Sequence, residues 1–518
     1  MRRKLSFKQI APFATLILAA GAAMFVVPET DYVSGPNETQ YNPADIAWVL
    51  ISSALVFLMT PGLALFYGGM VHRKNVLSTM IKSVVAAGVV GVLWVTVGFS
   101  LSFGESIGGF IGNPGTYLFY NGVKSGAPWA GAPTIPLMLF SVFQMMFAII
   151  TPGLVVGAVA ERIRFTSYIL FIVLFSLLVY APLAHWSWHP QGFLAQMGVW
   201  DFAGGTVVHI SAGCAALAGA LVLKRRKAHI EKQEISPANV PYVLIGTGLL
   251  WFGWFGFNAG SALGASPLAV SAFATTNTAA AAGGLAWMFF DVIKGKKPSV
   301  LGFCMGAVIG LVAITPAAGF VGVPQSIMIG LTGALLSNIA VGIKQRSSLD
   351  DTLDVFPCHG IGGMTGMLLT GVFASPIVHG ISEGPQGWFY GNPGFFFTQL
   401  KAMLIVSAYA FSVSWLIFKF INFILPIRVS SEEEELGLDF TQHHEKYLQG
   451  TLLVTTAAEA NGGQVKEIDA TFKVAEEAKE VHATFTASGE AREMDAIRKA
   501  TVAALKEREP ITQDYLLL

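Results

Sequence analysis

Long apolar runs separated by short polar connections fill the chain between Pro43 and Pro426. Each run is long enough to cross about 30 Å of hydrocarbon as a helix. The pattern therefore predicts an all-α polytopic membrane protein, with a membrane domain at residues 28–427. The eleven runs cover roughly residues 46–70, 76–103, 135–160, 165–186, 203–223, 240–258, 267–293, 298–316, 325–344, 357–377 and 398–426.

The composition agrees with a membrane protein. Hydrophobic residues make up 53% of the chain and charged residues 12%, whereas a soluble domain carries about 25% charged residues. The mean hydropathy is +0.59, and the net charge of zero gives no reason to expect a nucleic-acid partner. The three cysteines, Cys214, Cys304 and Cys358, lie in apolar runs without the spacing of a disulfide framework or a zinc site.

The first 27 residues have the pattern of a secretory signal peptide. Basic residues from Arg2 to Lys8 precede an uncharged apolar stretch, Ala11 to Val27, and Ala20-Gly21-Ala22 provides a small-residue cleavage site. The apolar stretch is short for a membrane span, which favours cleavage. An uncleaved extra helix is the alternative.

The basic residues fall on alternate connections, and these connections are expected to be cytoplasmic. The mature N-terminus is then outside and the C-terminus is in the cytoplasm. Lys124 and Lys401 are the exceptions. The basic residues on the predicted cytoplasmic connections are Arg73, Lys74, Arg162, Arg164, Lys224, Arg225, Arg226, Lys227, Lys294, Lys296, Lys297, Lys344 and Arg346.

Two histidines follow an aspartate by the same interval inside apolar runs. Asp201 precedes His209 and Asp351 precedes His359, so each histidine lies roughly 12 Å deeper than its aspartate. Titratable groups at such depth are costly and indicate a functional site. The two runs are predicted to cross in opposite directions, which indicates an inverted 5+5 repeat with a site at the midplane. A single histidine of this kind can also be a packing residue.

The two aspartates have a structural and a functional interpretation. Asp201 and Asp351 precede predicted helices, where aspartate is a favoured N-cap that suits the positive end of the helix dipole. Direct cation binding by Asp201 is the alternative. A long-range field that favours cations at the outer mouth is compatible with both interpretations.

Several stretches resemble the ammonium transporter (Amt/Mep/Rh) family, prokaryotic Amt type, over residues 46 to 445. They are Pro61–Gly69, Gly157–Phe165, Asp201–His209, Gly253–Ser261 and Asp354–Gly360. The resemblance implies the eleven-helix ammonium transporter fold, a homotrimer with one pore per subunit, and a transporter without a cofactor rather than an enzyme. It also implies a location in the cytoplasmic (inner) membrane.

The resemblance also implies roles for particular residues. An outer recruitment site matches Trp188, Ser261, Phe143 and Phe147. A stacked phenyl gate matches Phe147 and Phe257, and twin pore histidines match His209 and His359. Asp201 and Asp351 match structural or electrostatic positions, and Thr278 and Trp254 match two further pore-associated positions. One extra residue between Trp188 and Asp201 leaves Trp186 as an alternative to Trp188.

These residue types suggest a transport mechanism. A tryptophan face attracts a cation and a serine hydroxyl accepts a hydrogen bond, but such a site would also hold potassium. An apolar constriction disfavours a bare charge, and ammonium, unlike potassium, can shed a proton there. Two neutral imidazoles could then conduct ammonia and relay the proton, which would make transport electrogenic. The proton could also return outside or use a separate water path.

The C-terminal region reads as a separate cytoplasmic module. Residues 428–447 contain the acidic run Glu432–Glu435, and the resemblance implies that this segment couples subunits and binds a PII-type signal protein. We expect the acidic run to pair reversibly with the basic connections that hold Arg162, Arg164, Lys344 and Arg346.

Residues 448–518 extend beyond the resemblance. The pattern predicts a strand at 451–455 and a helix at 490–509. This extension is either a solvated appendage or a regulatory domain. Three function classes therefore remain: an ammonium transporter, an ammonium sensor on the same scaffold, and an intramembrane metalloenzyme. The third lacks an evident third ligand beside His209 and His359.

Overall fold

A computed structural model describes residues 7–24, 41–123, 127–233, 235–380 and 384–447. The basic start Arg2–Lys4, the connection residue Lys124 and the extension 448–518 lie outside the described residues. The strand predicted at 451–455 and the helix predicted at 490–509 therefore stay predictions.

The described chain is almost entirely helical. Its single small sheet is an antiparallel pair, β1 (Ser106–Ile107) and β2 (Ile111–Gly112). The α-helices are α1 (Phe7–Ala23), α2 (Pro43–Met70), α3 (Val76–Leu93), α4 (Phe99–Phe103), α5 (Leu137–Val159), α6 (Phe165–Phe175), α7 (Ala181–Trp188), α8 (Phe193–Gln196), α9 (Ser211–Leu223), α10 (Lys227–Ile230), α11 (Val240–Trp254), α12 (Pro267–Ile293), α13 (Val300–Ile314), α14 (Val323–Gln345), α15 (Gly362–Phe373), α16 (Pro376–His379), α17 (Pro393–Ile424), α18 (Ser431–Leu436) and α19 (Leu438–His443).

Wide π-helical turns join or extend several of these helices. They lie at Trp94–Gly98, Ser176–Tyr180, Gly205–Ile210, Phe255–Ala259 and Phe356–Ile361. Such turns are rare and are frequently found at functional sites. Two of them carry the two histidines that the sequence singled out.

Eight described helices are long and apolar enough to span a membrane. They are Pro43–Met70, Arg73–Phe103, Leu137–Val159, Phe165–Gln196, Gly205–Leu223, Val240–Ala259, Val323–Gln345 and Pro393–Ile424. The other three predicted runs hold α12, the short α13, and the glycine-rich helix formed by Phe356–Ile361 and α15. The chain is thus an all-α polytopic membrane protein, whereas the count of eleven crossings stays a prediction.

A shared sequence signature begins four of the long helices. An Asn or Ser side chain accepts a backbone N–H of the first turn, and proline follows within the first two helical positions, where its missing N–H costs nothing. The four pairs are Asn42 with Pro43, Asn239 with Pro241, Ser266 with Pro267, and Asn392 with Pro393.

Glycines allow the backbones to approach closely where the two predicted halves meet. A Cβ built on Gly213 would lie 2.2 Å from the Gly360 nitrogen, so only glycine fits there. Gly213 is one turn beyond His209, and Gly360 follows His359. This contact brings the two histidine-bearing segments together.

The C-terminal segment 428–447 packs back onto the membrane domain. Its α18 begins at a capping box made by Ser430 and Glu433. Glu433 pairs with Arg164 at 2.7 Å, as predicted. The Asp439 carboxylate accepts the Ser78 amide at 2.7 Å and is buried.

The predicted partners of the acidic run are only partly correct. Arg162 and Lys344 do not pair with the glutamates, because nearer groups occupy them. Arg162 donates to the Asp350 carbonyl at 2.5 Å, and Lys344 pairs with Asp354 at 2.7 Å. Glu434 pairs with Arg428 instead, and Glu435 pairs with Lys227. Among the described ion pairs none joins Arg346 to the run.

Candidate functional site

Each histidine-bearing π turn begins at a buried aspartate that satisfies its first amides. The Asp201 carboxylate accepts the N–H groups of Gly204, Gly205 and Thr206 at 2.9, 2.7 and 2.7 Å, and the Thr206 hydroxyl as well. Its side chain is 7% exposed. A carboxylate with this many donors acts as a helix N-cap. The geometry thus favours the structural interpretation of Asp201 over direct cation binding.

The second turn repeats this arrangement. The Asp351 carboxylate accepts the N–H groups of Val355 and Phe356 at 3.0 and 2.7 Å. Burial raises the pKa of Asp351 to about 6, although Lys344 opposes the shift. In both turns the histidine follows eight residues after the aspartate, so the equal spacing in the sequence corresponds to an equal local structure.

The two turns place their imidazoles in contact. The Nδ1 atoms of His209 and His359 lie 3.3 Å apart, with ring centroids at 5.4 Å and planes at 25°. Both side chains are buried. A hydrogen bond between two Nδ1 atoms needs a proton on one of them and a lone pair on the other, which two neutral imidazoles supply. The described residues hold no hydrogen-bond partner for His209 Nε2.

A narrow apolar cavity surrounds the histidines. The centre of a water-sized sphere can occupy only about 10 Å³ of this cavity. Besides the two histidines, Tyr67 and Trp254 line it with polar groups, and these already donate to the Leu154 carbonyl and the Thr315 hydroxyl, each at 2.9 Å. A passage of this size and lining suits a small neutral molecule and opposes a hydrated ion.

Aromatic rings connect this cavity to a larger one. The Phe147 and Phe257 rings lie 4.3 Å apart, and Phe257 lies 6.0 Å from His209. On the other side, Phe147 contacts Trp188 edge to face at 6.0 Å. Trp188, Phe147, Phe257, His209 and His359 therefore form one continuous row of rings.

The larger cavity brings together the four predicted recruitment residues. It has a volume of about 180 Å³ and contains no acidic residue in its lining. The Ser261 hydroxyl donates to the Phe257 carbonyl at 2.8 Å, which leaves its oxygen able to accept a hydrogen bond. The lining residues are Trp129, Gly131, Phe140, Phe143, Gln144, Phe147, Trp188, Phe202, Ser261 and Leu263.

The structure distinguishes the two candidate tryptophans. Trp188 lines the larger cavity, and its Nε1 donates to the Asp201 carbonyl at 3.2 Å. Trp186 is buried against Phe193 and Tyr409, with its Nε1 bonded to the Phe110 carbonyl at 2.7 Å. The inserted residue before Asp201 thus leaves Trp188 in the cavity wall.

Trp254 and Thr278 occupy different surroundings. Trp254 lies 5.4 Å from the His209 ring, nearly parallel to it, and its Nε1 donates to the Thr315 hydroxyl at 2.9 Å. Thr278 donates to the Ala274 carbonyl one turn earlier and lines neither of the two cavities. The structure therefore does not bring Thr278 to the site, whereas it adds Thr315 behind Trp254.

The sequence missed six lining residues of the larger cavity, namely Trp129, Gly131, Phe140, Gln144, Phe202 and Leu263. Gln144 shares a helix face with Phe140, Phe143 and Phe147, so helical periodicity along α5 could have identified it. Trp129 and Phe202 come from segments between helices, where no periodicity exists. Among the described residues no group of three His, Cys, Asp or Glu is arranged to hold a metal ion.

Comparisons with known proteins agree with the fold. Residues 47–447 match the profile of the Ammonium Transporter Family. A putative ammonium transporter of Methanothermobacter thermautotrophicus is 47% identical over 407 residues, which cover 78% of this chain and 98% of the relative. The Mep2 crystal structure from Saccharomyces cerevisiae matches with a TM-score of 0.74 and 35% identity, covering 80% of this chain and 93% of Mep2.

A solved structure described as a sensor Amt protein is also similar. Its TM-score is 0.70 at 29% identity, over 77% of this chain and 98% of that chain. The profile match extends over far more than half of the sequence. The chain therefore belongs to the ammonium transporter family.

Proposed function

We propose that this protein recruits ammonium from outside, removes a proton from it and conducts ammonia past the paired histidines. The observation that carries the proposal is the continuous row of rings from Trp188 to His359. It joins a roomy aromatic cavity to a narrow apolar one. The two cavities suit a cation and a neutral molecule, respectively.

Recruitment uses the aromatic wall of the larger cavity. The Trp188 face attracts a cation by about 0.5–2 kcal/mol, depending on desolvation. Ser261 accepts one hydrogen bond from ammonium. The lack of a carboxylate in the lining keeps the affinity modest, so ammonium can leave towards the pore.

Deprotonation occurs at the constriction formed by Phe147 and Phe257. Their ring centroids are 4.3 Å apart, so the rings are in contact, and a group that moves between them must leave its water behind. Desolvation lowers the pKa of ammonium and favours release of its proton. Potassium has no proton to release and is therefore rejected.

The paired imidazoles serve ammonia and the proton differently. Each neutral ring offers one donor and one acceptor nitrogen, so ammonia can exchange hydrogen bonds along the narrow cavity. The contact between the Nδ1 atoms of His209 and His359 offers a relay for the proton. Relay of the proton together with ammonia makes the net transport electrogenic.

The assembly and its surroundings follow from the same proposal. We infer a homotrimer in the cytoplasmic (inner) membrane, with the mature N-terminus outside and the C-terminus in the cytoplasm. Segment 428–447 is then placed where a PII-type protein could bind it. Its buried Asp439 and its Arg164–Glu433 pair support a docked state that a partner could release.

An ammonium sensor is the second candidate function. The similarity to the sensor Amt structure and the extension 448–518 favour it. Uptake of ammonium by a host that lacks its own ammonium transporters separates the two candidates. Growth on low ammonium and saturable uptake support transport. A membrane-inserted protein without uptake contradicts transport and favours sensing.

The same host tests the outer site. Trp188→Leu should weaken discrimination at low ammonium by a modest factor, because it removes one cation–π contact. Trp186→Leu is the matched control, since that ring packs against Phe193 and Tyr409 instead. A defect in Trp186→Leu alone would show that the recruitment residue is assigned wrongly.

A further inference from the structure

Trp129 is a ring of the outer cavity wall that lies between helices and is held by other rings. It stacks on Phe140 at 5.2 Å and 10°, and both residues line the cavity. It meets Phe103 edge to face at 5.4 Å and His189 at 5.3 Å. One of the three rings that hold Trp129 is therefore titratable.

The hydrogen bonds of His189 require its neutral form. Its Nδ1 accepts the Gln191 amide at 3.1 Å, and a nitrogen that accepts a hydrogen bond carries no proton. A proton on His189 Nδ1 would turn this hydrogen bond into a contact between two donors. The Gln191 amide would then lose its partner.

A second histidine lies face to face with the first. The rings of His185 and His189 are 4.3 Å apart and nearly parallel. His185 Nδ1 donates to the Ser102 carbonyl at 3.0 Å, and its Nε2 faces the Ser106 hydroxyl at 2.8 Å. Since the hydroxyl can donate to Nε2, this arrangement also fits a neutral ring.

Within the part of the chain that the structure describes, no ion pair gives His185 or His189 an opposite charge. The elements packed around the pair contribute Ser102 and Phe103 of α4, Ser106 of β1, and Trp129, all of them uncharged. A proton on His189 would therefore place an unbalanced positive charge behind the wall of the cavity.

We propose that Trp129 is a further recruiting residue of the outer cavity and that His189 is its positioning residue, so that protonation of His189 from outside weakens the recruitment of ammonium. The inference rests on the proposed function and adds regulation to the same site. Neutral His189 keeps its bond to Gln191 and its contact with Trp129. Protonation breaks the bond and repels the incoming cation.

Acidification of the outside should weaken the recruitment of ammonium. Since no described ion pair balances a charge on His189 and His185 lies against it, His189 takes up a proton only below the ordinary range of histidine, so the apparent KM for ammonium should rise as the outside pH falls below about 5. Ammonium itself stays protonated over this range, so its concentration does not change. The maximal current limited by the pore should change less, because Trp129 and His189 contact neither Phe257 nor His209.

The test uses the full-length protein in liposomes, with currents recorded after ammonium chloride pulses at outside pH values between about 4 and 8. Trp129→Leu should raise the apparent KM by about fivefold, or about 1 kcal/mol, near the upper end of this range. Trp129→Phe keeps an aromatic ring, so its apparent KM should lie between those of the wild type and Trp129→Leu. His189→Asn keeps an acceptor near Nδ1 and cannot be protonated, so its apparent KM should vary less with pH than that of the wild type.

A second variant protects the test against misfolding of the first. His185→Gln removes the ring whose charge opposes protonation of His189 and keeps a polar group towards Ser106, so it should move the pH dependence to higher pH. A wild-type apparent KM in Trp129→Leu, or a wild-type pH profile in both histidine variants, would overturn the inference. A wild-type protein without any ammonium current would instead reject the proposed function itself.

Discussion

The two π turns that carry the histidines share one local structure but differ in their surroundings. At the first turn, Asp201 is bonded to three backbone amides and the Thr206 hydroxyl, and among the described ion pairs it has no basic partner. At the second, Asp351 accepts two amides and lies next to Lys344, which bonds to its carbonyl at 2.8 Å.

The difference extends from Asp351 into an ion network. The neighbouring Asp350 pairs with Arg226 at 2.8 Å, and Arg226 also pairs with Glu161 at 2.5 Å. Arg226 and Asp350 are buried, and Glu161 is 5% exposed. The same aspartate cap therefore suffices to orient a histidine in both turns. Only the second turn is linked to the connections that the C-terminal segment contacts.

Breaking the ion network should have the largest effect on stability. Arg226→Ala leaves Asp350 and Glu161 buried without their partner, and loss of one partner of a buried ion pair costs about 3–5 kcal/mol. Denaturant titration in detergent measures the loss. Arg225→Ala is the matched control, since the described hydrogen bonds of this side chain go to His229, and it should change stability by about 0.5 kcal/mol or less. Equal losses in both variants would contradict the network.

Loss of the capping aspartate should cost more stability at the first turn than at the second. Asp201→Ala leaves three amides and a hydroxyl without their acceptor, whereas Asp351→Ala leaves two amides. Loss of a cap typically costs about 0.5–2 kcal/mol, and we expect Asp201→Ala near the upper limit. The same denaturant titration ranks the two variants. A larger loss in Asp351→Ala would reverse the comparison.

A pH titration sharpens the comparison through Asp351. Burial raises the pKa of Asp351 to about 6 in the folded protein, against about 4 for aspartate in an unfolded chain. The folded state binds this proton more tightly, so Asp351 contributes more stability as the pH falls from about 6 to about 4. Asp351→Asn cannot titrate and should lack this contribution. If the free energies of unfolding of the variant and the wild type changed in parallel with pH, this contribution of Asp351 would be excluded.

The neighbouring Asp350 should behave in the opposite way. Its burial opposes ionisation, but Arg226 and Arg162 hold its pKa below the usual value. Its contribution to stability is present above about pH 4 and is lost only below that value. The two adjacent carboxyl groups therefore act over different pH ranges, which allows their effects to be separated.

The C-terminal segment should show the smallest effect on stability. Arg164→Ala removes the pair with Glu433, which is partly exposed and worth about 0–1 kcal/mol. We expect the pore to conduct normally and segment 428–447 to become more accessible to protease.

Truncation at residue 447 should leave transport intact, whereas truncation at residue 427 should change its regulation by a PII-type protein. Identical behaviour of the full-length and the shorter protein would remove the regulatory role.

Much of the fold follows from hydropathy and helix caps. The run predicted at 76–103 lies within the described span Arg73–Phe103, and the run at 267–293 coincides with α12. These bounds are readable because apolar length, proline after an N-cap and charged connections are local properties. The equal Asp-to-His spacing likewise anticipated two equivalent turns.

Other features depend on tertiary contacts and could not be predicted. The approach of the two histidine-bearing segments depends on Gly213 lying against Gly360, a contact between residues about 150 positions apart in the sequence. Trp129 enters the cavity wall through its stack on Phe140, which no local pattern encodes. Charge and a shared cytoplasmic side predict that Arg162 and Lys344 pair with the acidic run, but burial and nearer acceptors determine their partners.

The central claim is that His209 and His359 together conduct ammonia and relay its proton. Parallel recordings of ammonium current and potassium flux in liposomes test it most directly, with His209→Ala, His359→Ala and, as a control outside the described membrane spans, His229→Ala. The account predicts that both pore variants lose most of the ammonium current and admit potassium, because the cavity gains room for water, whereas His229→Ala resembles the wild type. Wild-type ammonium current and selectivity in both pore variants would contradict the account.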